Sequence, residues 1–244
     1  MKIAGVTALH YGKDFLGHAI RSIIDDVDSY VVLYSSIGSH GHHTSVSCPE
    51  TKDELYDIAY QAAGDKLHWF DGQWPYEGAQ RDSIFGIVPD ADVIVVLDSD
   101  ECYSPGLVNA AIEHGLKENV RQVRIPLIHH WRSFYKGFTH DPAAPTRIIF
   151  PKVADGATTF TPGEKHRLWH YGYAIKPELM RYKWQIHGHL NEMRKDVDWL
   201  NDVYLANRQF DCHPVGSDAW MATEDVTPPD FMLDHPFAKL SVIE

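Results

Sequence analysis

Cysteine is scarce in this 244-residue chain. Cys48, Cys102 and Cys212 lie far apart, and no Cys-x-x-Cys pair occurs. An odd, scattered set makes a poor disulfide framework, so a reducing cytoplasm is the simplest reading. Long apolar runs are absent too: no stretch approaches the roughly 18 uncharged residues of a membrane span. The opening MKIAGVTALH has too short an apolar run for a signal peptide. Positive charge is also in deficit. Lys and Arg number 22 against 34 Asp and Glu, a net charge of −12. A surface that coats nucleic acid needs clustered basic residues, so that class of function is disfavoured. There is no internal repeat and no low-complexity segment. The one residue type in excess is histidine, with 16 copies. Histidine is the commonest metal ligand and titrates near neutrality, which hints at a metal or acid/base site.

Hydrophobic periodicity organises the first hundred residues. Residues 2–9, 30–34, 66–70 and 92–97 read as strands, the last an unbroken apolar run suited to a buried parallel strand. Between them, 13–25, 51–63 and 77–87 read as helices. Thr51 with Glu54 three positions on has the spacing of a capping box, and Gly64 marks the helix stop. The order β-α-β-α-β-α-β makes an α/β fold with a mostly parallel sheet and helices on both faces. Ligands of such sheets bind beyond the carboxyl ends of the strands, here residues 10–12, 35–43, 71–76 and 98–103. The second half is less regular. Strands are expected in 121–135, at 146–150 and at 166–171, then one or two helices over 177–209. From Asp211 a tail without clear period follows.

The chemistry concentrates in Val93-Ile94-Val95-Val96-Leu97-Asp98-Ser99-Asp100-Glu101. Three carboxylates follow a buried strand on the ligand-binding rim. In an extended chain Asp98 and Asp100 point the same way. Like charges that close repel unless a cation joins them or one is protonated. Hard cations such as Mn²⁺ and Mg²⁺ favour carboxylate and phosphate oxygens, so a metal here suits a diphosphate. The competing reading is a solvated turn.

With that motif in view, the chain resembles the GT-A-fold glycosyltransferases and is similar to glycosyltransferase family 2. The opening from Val6 to Leu16, then Ile20-Arg21-Ser22-Ile23 and Val27 to Leu33, resembles that family's first strand, helix and second strand. Asp98-Ser99-Asp100 matches its D-x-D, and Trp169-His170-Tyr171-Gly172-Tyr173 its late His-Tyr-Gly-Tyr segment. The resemblance implies a GT-A-like sheet with a smaller mixed acceptor-side region. It divides the chain into a nucleotide-sugar half (1–115), an acceptor-side half (116–210) and a tail (211–244). It implies a UDP- or GDP-sugar donor and Mn²⁺ or Mg²⁺. Asp100 would bind the metal, Asp98 the ribose or the metal through water, and His170 the metal or diphosphate. His10, Tyr11, Tyr34, Ser36 and Arg81 would line the donor site. Two departures stand out. Tyr34 and Ser35 stand where family members often carry an Asp, and the family's Gly-Ser-x-Asp turn reads Gly38-Ser39-His40-Gly41-His42-His43 here.

Arg81 either grips a diphosphate through its planar fork or pairs with Glu77 or Asp82. An inverting transfer needs a general base, for which Glu164, Asp141 and Glu192 are the candidates, Glu164 first. His129-His130-Trp131 ends a strand that faces either the acceptor or the core. The acceptor is open among a saccharide, a lipid-linked sugar, a protein and a modified nucleic-acid base. Two rival functions remain. A nucleotidyltransferase also joins a parallel sheet to paired carboxylates, but residues 10–14 hold one glycine and no Gly-rich phosphate loop. A catalytically silent sugar- or nucleotide-binding module is the other.

Overall fold

A computed structural model describes residues 1–38, 44–138, 144–163, 166–186, 196–206 and 223–244. Four parallel strands build the centre: β1 (Ile3–Leu9), β2 (Ser29–Ser35), β3 (Leu67–Gly72) and β4 (Val93–Val96). Alternating side chains send Leu9, Tyr30, Val32, Val93 and Val95 to one face, where α1 (Lys13–Arg21) and α2 (Lys52–Ala63) pack. Ala4, Val6, Val31, Leu33 and Ile94 face the other way, against Ile84. The capping box of α2 is present: Thr51 and Glu54 satisfy each other's backbone N–H groups. The expected helix over 77–87 is broken at Ser83 into α3 (Glu77–Asp82) and α4 (Ile84–Ile87).

After the D-x-D the chain forms β5 (Glu101–Tyr103) and α5 (Leu107–Glu118), neither of which the sequence reading resolved. Next come β6 (Gln122–Arg124), β7 (Leu127–Trp131), β8 (Lys136–Phe138), β9 (Thr146–Ile149), β10 (Ala157–Thr159) and β11 (Leu168–Tyr173). The central sheet runs β10-β6-β9-β4-β1-β2-β3, with β9 antiparallel to both neighbours. This is the mostly parallel α/β sheet expected from the sequence. A second sheet runs β12-β8-β7-β11-β5, where β12 is Glu224–Asp225. Its core is aromatic: Trp131, Phe134, Tyr171, Trp199 and Tyr204 are buried together.

The expected helical stretch over 177–209 contains α6 (Pro177–Ile186) and a seven-residue π-helical segment, Trp199–Leu205. Within the tail, Met232, Phe237 and Ile243 are buried in the second core, so this part of it belongs to the body. Among the described residues no helix is long and apolar enough to cross a membrane.

His130 lies in that aromatic core, fully buried and stacked on the Tyr171 ring at 4.3 Å, with Trp169 and Phe134 alongside. Burial, with the neighbouring His129 adding to it, pushes its pKa from 6.5 down to about 3. The unfolded chain therefore takes up the proton first. Stability from neutral His130 is full above pH 6.5 and is lost as the pH falls toward 3. His130→Phe keeps the ring stack without the titrating nitrogens. Urea unfolding over this range is expected to show a shallower acid loss in the variant, and equal slopes would refute the assignment.

Candidate active site at the carboxyl end of the parallel sheet

The D-x-D is a turn, not the extended segment expected from its sequence. Glu101 N–H bonds to the Asp98 carbonyl at 3.0 Å, and the three carboxylates part company. Asp98 turns toward two arginines. Arg81 on α3 donates to Asp98 Oδ1 at 2.6 Å, and Arg147 on β9 donates to Oδ2 at 2.8 Å. Burial pushes the Asp98 carboxyl up, but these two guanidinium groups outweigh it and hold the pKa well below the usual range. Arg81 also pairs with Glu77, so the ion-pair reading of this residue is present, extended to Asp98.

Glu101 corrects the expectation of a third rim carboxylate. Its side chain is wholly buried and pairs directly with Arg147. Burial and the nearby Asp98 charge push its carboxyl up, against the pull of Arg147. Arg147 thus serves two acids at once. The sequence reading passed over it as part of a strand, although an arginine inside the apolar run TRIIF was a signal that the strand buries a charge.

Asp100 faces the other way, toward β11 and α6. Strand pairing explains how residues so distant in sequence meet. β11 runs antiparallel to β5 with His170 opposite Glu101, and the Tyr171 N–H bonds to the Asp100 carbonyl at 2.7 Å. His170 Nε2 consequently lies 3.7 Å from Asp100 Oδ1. Gly172 is required by this crowding: a Cβ there would sit 2.9 Å from Asp100 Oδ2 and against the His170 ring. His170 Nδ1 shares a hydrogen bond of 2.7 Å with His129 Nδ1, a pairing delivered by the parallel β7–β11 register. The donor in that bond sets the site's chemistry. If His170 donates, its Nε2 carries a lone pair that can meet a cation; if His129 donates, Nε2 bears the proton and serves Asp100. Burial, with the charges of His129 and Lys183 adding to it, lowers the His170 pKa well below its ordinary value.

Lys183 on α6 also reaches this carboxylate, with Nζ 3.5 Å from Asp100 Oδ2 and 3.2 Å from the Gly172 carbonyl. Sequence reading missed it, because the helical period of α6 speaks only of its buried face. Among the described residues no group of three or more His, Cys, Asp or Glu side chains forms a ready-made metal cage. Asp100 and His170 could supply two ligands to a divalent ion, with the other positions left to phosphate oxygens and water.

Around this pair the predicted donor residues divide. His10 is engaged on both nitrogens, by the Ser35 carbonyl at 2.7 Å and by Tyr182 Oη at 2.6 Å. Tyr11 packs edge-on to Tyr182. Tyr34 and Ser36 line a shallow hollow of about 450 Å³ with Lys52 and Asp71, apart from the carboxylates. A larger cavity of about 590 Å³ lies on the sheet face beside α3, with an apolar floor from Val6, Ala8 and Val96 and with Arg81, Asp98 and Arg147 in its wall. The local backbone is set by Gly12, at φ 125°, packed against Ser99, whose hydroxyl donates to the Tyr11 carbonyl at 2.9 Å. Buried Glu50 caps α1 by accepting from the N–H groups of Gly12 (2.6 Å) and Lys13 (2.9 Å). The bases suggested from sequence, Glu164, Asp141 and Glu192, lie outside the described residues, as do His40, His42 and His43.

No protein-family model and no curated protein matches this chain. Similar solved structures include glucosyl-3-phosphoglycerate synthase from Mycobacterium tuberculosis with Mg²⁺ and uridine diphosphate. That likeness has 17% identity and a TM-score of 0.40, over 52% of this chain and 43% of that one. The same synthase with Mn²⁺, uridine diphosphate and phosphoglyceric acid gives 18% and 0.37, over 52% and 43%. HddC from Yersinia pseudotuberculosis gives 12% and 0.43, over 74% and 97%. The chain thus spans less than half the length of the synthase chains it matches.

Arg147 should behave as the keystone of the charge cluster. Arg147→Met strands Glu101 in the core and is expected to cost about 3–5 kcal/mol in urea unfolding. Adding Glu101→Leu should recover part of that loss, and a double variant no more stable than the single one would contradict the pairing.

Proposed function

We propose that this protein is a divalent-metal-dependent glycosyltransferase that moves a sugar from a UDP- or GDP-sugar to a hydroxyl acceptor. The observation that carries the reading is the meeting of Asp100 with His170 on the carboxyl-end rim of a parallel sheet. These two residues belong to the two sequence segments that resemble the glycosyltransferases, and strand pairing brings them within 3.7 Å. Asp100 and His170 hold the metal, Mn²⁺ or Mg²⁺. The bound ion supplies charge neutralisation for the departing nucleoside diphosphate.

The chain's own residues do the rest. Glu77 and Asp98 take the Nε and Nη2 donors of Arg81 at the edge of the rim, so Nη1 is the donor it turns to a phosphate oxygen. His129 fixes the ring of His170 through their shared hydrogen bond. His10 and Tyr11 flank the donor beside the end of β1, with Tyr34 and Ser36 at the end of β2. Glu164, or Asp141 in its place, takes the proton of the acceptor hydroxyl in an inverting transfer. The acceptor is a saccharide, a lipid-linked sugar, a protein or a modified base, and the protein works in the cytoplasm.

Incubation with Mn²⁺ and a panel of nucleotide sugars tests this directly. One donor should release free nucleoside diphosphate, and Asp100→Ala should slow that release by about two orders of magnitude or more. Release that survives both Asp100→Ala and chelation of the metal would exclude the proposal.

A further inference from the structure

Helix α6 lies across the rim and touches it at three places. Tyr182 Oη reaches His10 at the end of β1, 2.6 Å away. Ile186 packs against Gly38 after β2, where an added Cβ would come within 3.0 Å of it. Between them Lys183 reaches Asp100 and the Gly172 carbonyl, with its side chain only 18% exposed. The helix is anchored by Leu179, Met180, Tyr182 and Ile186, all buried in the second core. Lys183 is therefore aimed at the carboxylate by a rigid element.

An ammonium group beside Asp100 does part of a metal ion's electrostatic work. It neutralises the carboxylate, and it approaches Oδ2 where His170 is nearest Oδ1. Its effect on two ligands must then have opposite signs. A divalent cation arriving alone meets a like charge and a carboxylate already paired, so Lys183 weakens it. A nucleoside diphosphate brings negative charge, which an ammonium on the metal-bearing rim attracts. We infer that Lys183 is a placeholder cation: it pairs with Asp100 while the site is empty, then transfers its contact to the donor diphosphate. This couples metal and donor binding, because the metal is held weakly until the diphosphate draws Lys183 off Asp100. The inference rests on the assignment of Asp100 as a metal ligand under the proposed function.

The test compares wild type with Lys183→Met and Lys183→Arg, after circular dichroism and melting establish that each variant folds. Free Mn²⁺ is followed by electron paramagnetic resonance during titration without nucleotide. Uridine diphosphate and guanosine diphosphate are then titrated calorimetrically at saturating Mn²⁺. Lys183→Met is expected to tighten Mn²⁺ binding and to weaken the preferred diphosphate by about tenfold, the scale of one charge-assisted contact. Lys183→Arg, which keeps the charge, should lie closer to wild type on both measures. Affinities that fall together, or that fail to move in opposite directions, overturn the placeholder role while leaving the metal site standing. A wild-type protein that binds no Mn²⁺, with or without diphosphate, overturns both this inference and the metal assignment beneath it.

Discussion

Asp98 is clasped between Arg81 and Arg147, and the shape of the rim follows from that clasp. The turn after β4 has carboxylates at positions 98, 100 and 101 within one short loop. Left unpaired, they would repel one another and lose hydration as the strand end packs. Arg147 resolves the conflict by reaching Asp98 and Glu101 together from β9, and Arg81 takes the remaining oxygen of Asp98 from α3. Two acids are taken by arginines, so the third, Asp100, is left to meet His170 and Lys183. A buried network of this kind adds little net stability compared with an apolar core. Its consequence is directional: it separates Asp100 from the other two carboxylates.

The second sheet completes what the clasp begins. β5 starts at Glu101, so its pairing with β11 is tied to the same turn. That pairing fixes His170 beside Asp100, and β7 on the other side of β11 supplies His129. Gly172 fits because no side chain could occupy the space between the His170 ring and the Asp100 carboxylate. A motif of the form His-Tyr-Gly-Tyr then has a physical reading. The histidine faces the carboxylate, the first tyrosine is buried under His130, and the glycine gives room.

Elements whose burial repeats along the chain were legible in the sequence. The four parallel strands, α1 and α2 follow from apolar periodicity and from the Thr51–Glu54 cap. The strands and α2 lie within a residue or two of expectation at each end, but α1 stops at Arg21, four residues short of the expected 13–25, and a 3-10 turn over Ile24–Asp26 follows. The D-x-D was legible as an acidic segment at the strand end but not in its geometry, since the extended pattern gave no sign of the i to i+3 turn that separates Asp98 from Asp100. Contacts made across long sequence gaps stayed hidden. Arg147, Glu50, His129 as the partner of His170, and Lys183 act only through tertiary pairing, and no local spacing encodes them. The 77–87 helix is interrupted at Ser83, whose hydroxyl donates to the Gln80 carbonyl at 2.7 Å, a local competition that apolar periodicity does not register.

Under the proposed function the two aspartates of the D-x-D have separate duties, Asp98 holding arginines and Asp100 the metal. Mn²⁺ titration of Asp98→Asn and Asp100→Asn by electron paramagnetic resonance, beside the wild type, tests it most directly. Asp100→Asn should lose about tenfold or more in Mn²⁺ affinity and keep its fold. Asp98→Asn should hold Mn²⁺ nearly as the wild type does while unfolding at lower urea. The reverse pattern, with Mn²⁺ lost on substitution of Asp98 and retained on substitution of Asp100, would contradict the account.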